Sequence, residues 1–500
     1  MRSRWRAEAS SEGGVSGAPP LSEAATTALR DEAISWAAQH GLLVATASSD
    51  AGATMPAAFT HAPMALLPTP FPRDVFELAL RVSPHFAALS DAVSRDDAFL
   101  REHLAGVIRT DDFTARLWRV YESCGAQAGR HPVELGILRS DYMLDVPSGL
   151  PLQVEVNTVS TSFMSLSTRV QQMHRHVIRW GGLEASYGDD RGDAESILPA
   201  NGALELAADT LAAGWRAAGD EGAKLLMVVQ PGERNVFDQR LIAERLWDAH
   251  GVRTTRATLA EIASEARVSD DDDATLTYRG ERHSVVYYRA GYSPADYPTD
   301  AEWDARELLE RSGAVKSPSA AMHLAGTKKV QQVLAAPGVL ERFVEDPEIA
   351  AEMRRVFAGL YALDGEGAAE AVKLGLADPE RYVLKPQREG GGNNLYGEEL
   401  RAALETFDPA AKPGEPGDLS AYILMQRIFP PANRTLCLRN GELSELETLS
   451  ELGVYGGYLR VGEEVVMNEG GGHLLRTKAA TSDEGGVAAG YAVLDSPKLC

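Results

Sequence analysis

The chain has 500 residues, 44% hydrophobic and 24% charged, too long for one hydrophobic core and ample for two or three packed units. Its formal net charge of −23 repels a phosphate backbone, which excludes nucleic acid as a natural partner; any bound anion needs a local cluster of Lys and Arg working against that field. No apolar run is long enough to span a bilayer, and three distant cysteines, Cys124, Cys437 and Cys500, imply no disulfide framework and fit a reducing, cytoplasmic setting.

The first residues, 1–22, are basic and then rich in Ser, Gly and Pro. A transit peptide and a disordered tail both explain them, and Glu8 and Glu12 favour the tail. From Leu21 to Leu43, from Phe71 to Ile108 and from Asp111 to Cys124 the spacing predicts helices, so the N-terminal part, 23–222, reads as mostly helical. LQVEVNTVS, from Leu152, alternates as a strand does, and helices are expected over Ser165–Trp180 and Ala203–Ala218. Lys224–Gln230 and Ser284–Arg289 are short continuous apolar runs of the kind buried parallel strands show, with a helix over Phe237–His250 between them. That order suggests an α/β unit over 223–320, with Asp270–Asp273 as a solvated loop. Over 321–500 we expect helices at Lys328–Ala336 and Ile349–Leu363, a helical turn at Val339–Val344, strands at Arg381–Pro386 and Tyr422–Ile428, a linker over 411–420, and then short strands alternating with glycine turns.

Three stretches carry chemistry. In KPQREGGGNNLYGEE, Gly390, Gly391 and Gly392 free the backbone to approach a ligand, Lys385 ends the preceding strand, and Glu389 offers a hard oxygen. Phosphates need a cation and backbone donors and their Mg²⁺ needs a carboxylate, so this stretch reads as a Mg-ATP site, although it is no P-loop and a hairpin that binds nothing also has this composition. In the second stretch, Glu155 and Asn157 share a strand face and could offer two oxygens to a cation; from spacing alone, a solvated polar face is the simpler account. Ser160 and Ser162 continue that period, and Arg139, just upstream in RSDYM, could offset charge during phosphoryl transfer or serve as a surface ion-pair residue. The third stretch, from His473 to Gly490, sets Arg476 and Lys478 on one face beside Gly485 and Gly486, enough to hold a substrate carboxylate and equally consistent with a polar hairpin. His174 and His176 fall on different faces of a helix and are assigned to solvent, and Cys124, with no base at useful spacing, to packing.

Taken together, RSDYM, EVNTVSTSF, ERNVFDQR, LAGTKKVQQ, VLKPQREGGGNNLYGEEL, SELGVYGGYL, VMNEGGGHLLRTK and GGVAAGYAVLD resemble, in order, the eukaryotic-type glutathione synthetases. The resemblance implies a mixed α/β (α+β) ATP-grasp fold, with antiparallel β-structures around the nucleotide, a glycine-rich lid, a helical N-terminal part and an inserted parallel α/β substrate domain. It implies a homodimer, two Mg²⁺ per site, and ligation of γ-glutamylcysteine and glycine to glutathione with conversion of ATP to ADP and phosphate. Position by position, Glu155, Asn157 and Glu389 match the metal ligands. Lys328, Lys385, Glu389, Gly390, Gly391, Gly392, Asn393, Asn394, Tyr396, Met425, Gln426, Arg427, Ile428, Glu451, Lys478 and Glu484 match the nucleotide site. Arg139, Ser160, Ser162, Glu233, Arg234, Asn235, Gln239, Arg289, Tyr292, Arg476, Val487 and Ala488 match substrate positions, with Arg139, Lys385 and Arg476 in catalytic roles. Two departures stand out: the family's RDGY is RAGY here, with Ala290 in place of the acid, and Gln426-Arg427 stands where relatives often carry Glu-Lys.

The implied chemistry is acyl activation. A carboxylate has no leaving group, so it first takes the γ-phosphoryl group, and the acyl phosphate then yields to an amine while closed glycine loops exclude water. No protein nucleophile is needed. Two rivals remain: a ligase with another amine acceptor such as serine or β-alanine, and a nucleotide-binding regulator that keeps the fold without turnover.

Overall fold

The protein is described by a computed structural model over residues 21–46, 56, 58–124, 132–187, 198–270, 273–387, 393–482, 487 and 492–500. The 1–22 tail therefore lies almost wholly outside the described residues. Ser22 belongs to the fold: its hydroxyl accepts from Ala25 N and caps the helix Glu23–Gln39.

A seven-stranded sheet is the frame. Its order is Asn433–Arg439, Met64–Ala65, Ala492–Asp495, Glu464–Ala479, Glu442–Val461, Val133–Asp145, Leu150–Asn157, and Asn433–Arg439 also pairs with Glu442–Val461, so five strands close a ring. Segments more than 300 residues apart thus lie side by side. Successive residues point to opposite faces, and the core divides accordingly: Val454 and Leu475 join one apolar cluster with Val75 and Leu78, while Tyr455 and Leu474 join another with Leu166 and Leu211. Helix Arg73–Ser94 covers the first face and helices Met164–Trp180 and Ala203–Ala217 cover part of the second. A Cβ on Gly457 would sit 2.2 Å from Thr210 Oγ1, so the helix 203–217 packs onto bare backbone there.

The remaining strands form smaller sheets. A six-stranded sheet sets Lys224–Val228, Thr254–Ala257, Glu281–Tyr288 and Val315–Ser317 parallel, with Ala266–Val268 and Leu276–Tyr278 added antiparallel. A three-stranded antiparallel sheet orders Leu360–Ala362, Tyr422–Gln426, Tyr382–Pro386. No helix among the described residues is long and apolar enough to cross a membrane.

Several expectations need correction. The helix expected over Ile349–Leu363 is Pro347–Arg354, and Leu360–Ala362 is a strand. Gly359 exchanges backbone and side-chain bonds with Gln426, which draws the chain into the sheet. The segment 71–108 is two helices, because Asp96 accepts from Phe99 N and starts a new one at Asp97. The C-terminal region is not short strands: Glu442–Val461 and Glu464–Ala479 run 20 and 16 residues, with Gly453, Gly456, Gly457 and Gly470–Gly472 inside them. Those glycines admit close neighbours rather than turning the chain. Finally, His174 is fully buried: its ring lies between Ala65 O and Ser496 Oγ, whereas His176 pairs with Glu32.

Candidate active site

The site begins as a register. Val133–Asp145 is flanked by Leu150–Asn157 and Glu442–Val461, which sets Arg139 opposite Asn157 and Tyr455, and Asp141 opposite Glu155 and Gly453. Glu451 faces Arg476, and Leu449 faces Lys478. Residues directly opposite share a face. Arg139, Asp141, Glu155, Asn157, Glu451, Arg476 and Lys478 therefore converge on one face of one sheet.

Their contacts are charge-assisted. Asp141, 0% exposed, accepts from Arg139 Nε at 2.6 Å and Nη2 at 2.8 Å, from Arg476 Nη2 at 2.9 Å and from Asn157 Nδ2 at 3.0 Å. Arg476 also pairs with Glu451, and Lys328 Nζ lies 3.3 Å from Glu155 Oε2. Lys385, at the inner end of its strand, donates to Val154 O at 3.1 Å. Burial works to raise the Glu155 carboxyl, but Lys328, Lys385, Arg476 and Arg139 overcome it and hold the group below the usual carboxylate range. Glu451 goes the other way: burial, then Asp141 and Glu155, raise it against the pull of Arg476. Among the described residues, the contacts bring Arg139, Arg476, Lys328 and Lys385 together with Asp141, Glu155 and Glu451, a surplus of positive charge in a chain of net charge −23. An anionic ligand fits that surplus.

A hard cation fits the oxygens. Glu155 is ionised, and Asn157 spends its amide N–H₂ on Asp141 and the Arg139 carbonyl, which leaves its Oδ1 for another partner. Among the described residues there is no cluster of three His, Cys, Asp or Glu that could hold a metal ion by itself. Glu389, Gly390, Gly391, Gly392, Glu484 and Ala488 lie outside the described residues.

Next to these charges is an apolar cluster of the kind a purine ring needs. Met425 and Val383 pack with Leu152 and Ala358, and Tyr396 and Ile428 lie against them. Arg427 stacks its guanidinium over Tyr396, 5.4 Å from the ring centre, and pairs with Glu380. Gln426 uses its side-chain oxygen on Gly359 N at 3.0 Å. Asn394 Nδ2 donates to Tyr396 Oη at 3.4 Å, and the Asn393 side chain is exposed.

The third group stands at the carboxyl ends of the parallel strands 224–228 and 281–288. Arg289 is fully buried and pairs with Asp238 at 2.8 Å, and its Nε and Nη1 have no hydrogen-bond partner. Both side-chain polar atoms of buried Asn235 are likewise unsatisfied. Glu233 accepts from Asn235 N and Gln239 Nε2, each at 2.7 Å, and Gln230 donates to Tyr292 Oη at 3.1 Å. Buried donors and acceptors left open are what a polar substrate would satisfy. Ser160 joins this group to the main sheet by donating to Arg289 O at 3.0 Å, and Tyr455 Oη donates to Ser162 O at 2.6 Å. Arg234 is exposed, and its carbonyl accepts from Ala45 N. Val487 is buried in the core beside the helices rather than open. A small pocket lined by Thr158, Tyr292, Lys328 and Gln387 adjoins both groups. Where Ala290 removes a carboxylate, Asp296 reaches the same turn and accepts from the N–H of Gly291, Tyr292 and Ser293.

Sequence reasoning passed over Asp141, Asp238, Gly453 and Tyr455. Asp141 had a signal, since R-S-D puts it on the strand face of Arg139. Asp238 had none: its partners Phe163, Ser165, Leu166 and Arg289 are more than 50 residues away.

Comparison with known proteins bears on this arrangement. The profile described as "Eukaryotic glutathione synthase, ATP binding domain" matches residues 23–499. A chloroplastic glutathione synthetase of Solanum lycopersicum is 45% identical over 469 residues, 94% of this chain and 83% of the relative. The glutathione synthetase of Bos taurus is 42% identical over 475 residues, 94% and 96% of the two chains. Among solved structures, a glutathione synthetase-like effector of Globodera pallida in its apo form superposes with a TM-score of 0.74 at 23% identity, covering 96% of this chain and 98% of that one. That likeness concerns the fold alone.

Proposed function

Because the chain belongs to the eukaryotic glutathione synthase family, and as such is an ATP-dependent ligase that makes glutathione from γ-glutamylcysteine and glycine, we propose which of its residues do the work. The observation that carries the assignment is the convergence of Arg139, Glu155, Asn157, Glu451 and Arg476 on one sheet face, with Lys328 and Lys385 reaching it from elements packed alongside.

Lys328 and Lys385 bind the phosphate chain, and Met425, Tyr396 and Ile428 receive the base. Glu155 and Asn157, with Glu389, would hold two Mg²⁺ ions, which would supply charge neutralisation at the phosphates. Arg139 and Arg476 orient the cysteinyl carboxylate, and Ser160, Glu233, Asn235, Gln239, Arg289 and Tyr292 hold the γ-glutamyl end. One carboxylate oxygen bonds to the γ-phosphorus as the bond to ADP breaks. The glycine amine then attacks the carbonyl carbon, phosphate departs with its electron pair, and the amine gives up a proton. Both first reactants are anionic, so Lys385, Arg139 and Arg476 act by offsetting their repulsion. The proposed assembly is a homodimer and the proposed compartment cytoplasmic; sedimentation and a tagged full-length chain in cells test these.

Phosphate release supplied with ATP, γ-glutamylcysteine, glycine and Mg²⁺ tests the roles. Arg139→Ala is expected to lower kcat more than it raises KM for ATP, and Glu389→Ala to abolish Mg²⁺-dependent turnover with the fold intact. Near-normal turnover in either variant refutes that assignment.

A further inference from the structure

We propose that Asp141 is a positioning residue, a buried carboxylate that sets the two substrate-facing guanidiniums and the Asn157 amide in their working orientations; this rests on the roles proposed above for Arg139, Arg476 and Asn157. Its two oxygens accept four hydrogen bonds from three side chains that come from three different strands. The Arg139 fork is engaged through Nε and Nη2, which turns Nη1 outward, toward Ser162 O at 3.4 Å. Arg476 spends one nitrogen on both Asp141 and Glu451. Asn157 donates from Nδ2 to Asp141 and to the Arg139 carbonyl, so its oxygen is the atom presented away from both. An amide flipped by half a turn would present a donor to a cation and bind nothing.

Stability alone does not account for the arrangement. Two guanidiniums, Arg139 and Arg476, meet two carboxylates, Asp141 and Glu451, and even a balanced buried ion pair contributes little or nothing over a well-packed apolar replacement. The room for it is also built. Gly453 lies opposite Asp141, and a Cβ there would come 2.8 Å from Asp141 Oδ1 and 2.8 Å from Arg139 Cδ. The strand gives up a side chain, in the middle of a sheet, where this carboxylate and this guanidinium meet.

A Mg²⁺ titration of phosphate release, repeated on ATP binding measured by calorimetry without the peptide and glycine, tests the proposal with three variants of the whole chain. Asp141→Asn keeps the volume but replaces one acceptor with a donor facing donors. It is expected to raise the Mg²⁺ concentration for half-maximal rate by about 10–100-fold, as loss of an orienting partner does elsewhere, and to lower kcat while KM for ATP moves by a smaller factor. Gly453→Ala keeps every charge and is expected to move the same readouts in the same direction; it carries the test if Asp141→Asn fails to fold. Asn157→Ala calibrates the ligand assignment. If Asn157→Ala raises the Mg²⁺ requirement and the other two do not, the positioning role is overturned and the ligand stands. If none of the three moves it, the ligand assignment falls as well. A uniform loss of rate with unchanged Mg²⁺ half-saturation in Asp141→Asn assigns the residue to folding alone and overturns the proposal.

Discussion

Asp238→Asn is a small change with a large expected effect. The Asp238 side chain is 0% exposed and makes four contacts: Oδ1 accepts from Ser165 N at 2.8 Å and Leu166 N at 3.2 Å, and Oδ2 from Phe163 N at 3.0 Å and Arg289 Nη2 at 2.8 Å. It thus ties the start of helix Met164–Trp180 to a guanidinium that is itself 1% exposed. An asparagine keeps one oxygen. With that oxygen on the helix side, its N–H₂ faces the Phe163 N–H and Arg289, donor against donor. Leaving a buried charge unpaired costs about 3–5 kcal/mol, and an orphaned buried N–H about 1–3 kcal/mol more. The two share a neighbourhood and do not add in full, so we expect a loss of about 4–6 kcal/mol, read as a lower urea midpoint at pH 7. Kinetics should separate the substrates. Phe163 stands at φ 72° and the Arg289 carbonyl accepts from Ser160, so the loosened segment is the one proposed above to hold γ-glutamylcysteine. KM for γ-glutamylcysteine should therefore rise well above the change in KM for ATP. The double change Asp238→Leu with Arg289→Met should regain part of the stability and none of the activity. An unchanged urea midpoint, or equal rises in the two KM values, would refute the reasoning.

Three further outcomes are expected. Glu155→Gln keeps an oxygen and loses the charge, so the Mg²⁺ requirement should rise by at least about 10–100-fold and the urea midpoint should fall, because buried Lys328 then faces a neutral partner in a site already surplus in cations. His174 is buried and lowered to about 4 by desolvation, so the folded chain keeps it neutral where the unfolded chain, near 6.5, takes up a proton. Stability from this group is complete above pH 6.5 and is lost as pH falls from 6.5 toward 4, by about 3 kcal/mol in all. His174→Gln should therefore be less stable than the parent at pH 7, with the gap closing by pH 4.5; a constant gap in urea midpoint across that range would sink the assignment. Gly457→Ala should cost about 1–3 kcal/mol through overpacking on Thr210, and Thr210→Ala in the same chain should relieve it, read as a recovered urea midpoint.

Much of the candidate site was legible because its residues are spaced by strand period. Glu155 and Asn157, or Arg476 and Lys478, declare a shared face two residues apart, and the sheet confirms that face for each pair. What pairs with that face was not legible. Nothing local says that Val133–Asp145 lies between Leu150–Asn157 and Glu442–Val461, since the second neighbour is some 300 residues away. The glycines misled for a related reason. In a lone sequence Gly453 and Gly457 look like turn formers, yet each lies in mid-strand where a side chain or a helix approaches too closely for a Cβ. His174 misled by its polarity: burial with both nitrogens engaged is visible only once Ala65 and Ser496 have been brought to it.

The same topology explains how so acidic a chain holds anionic reactants. The charged groups come from separate parts of the chain: Arg139 and Asp141 from one strand, Glu155 from the next, Glu451 and Arg476 from a hairpin far along the chain, and Lys328 and Lys385 from elements packed alongside. Only when the sheet closes do four cations face three carboxylates. The local surplus is small, but burial magnifies it, because charges meet there at low dielectric and with little screening by salt. A phosphate chain entering such a place gains more than the distant surface charge takes away. The expense falls on folding, which must bring like charges together before the ligand arrives, and the buried carboxylate of Asp141 is the group best placed to limit it.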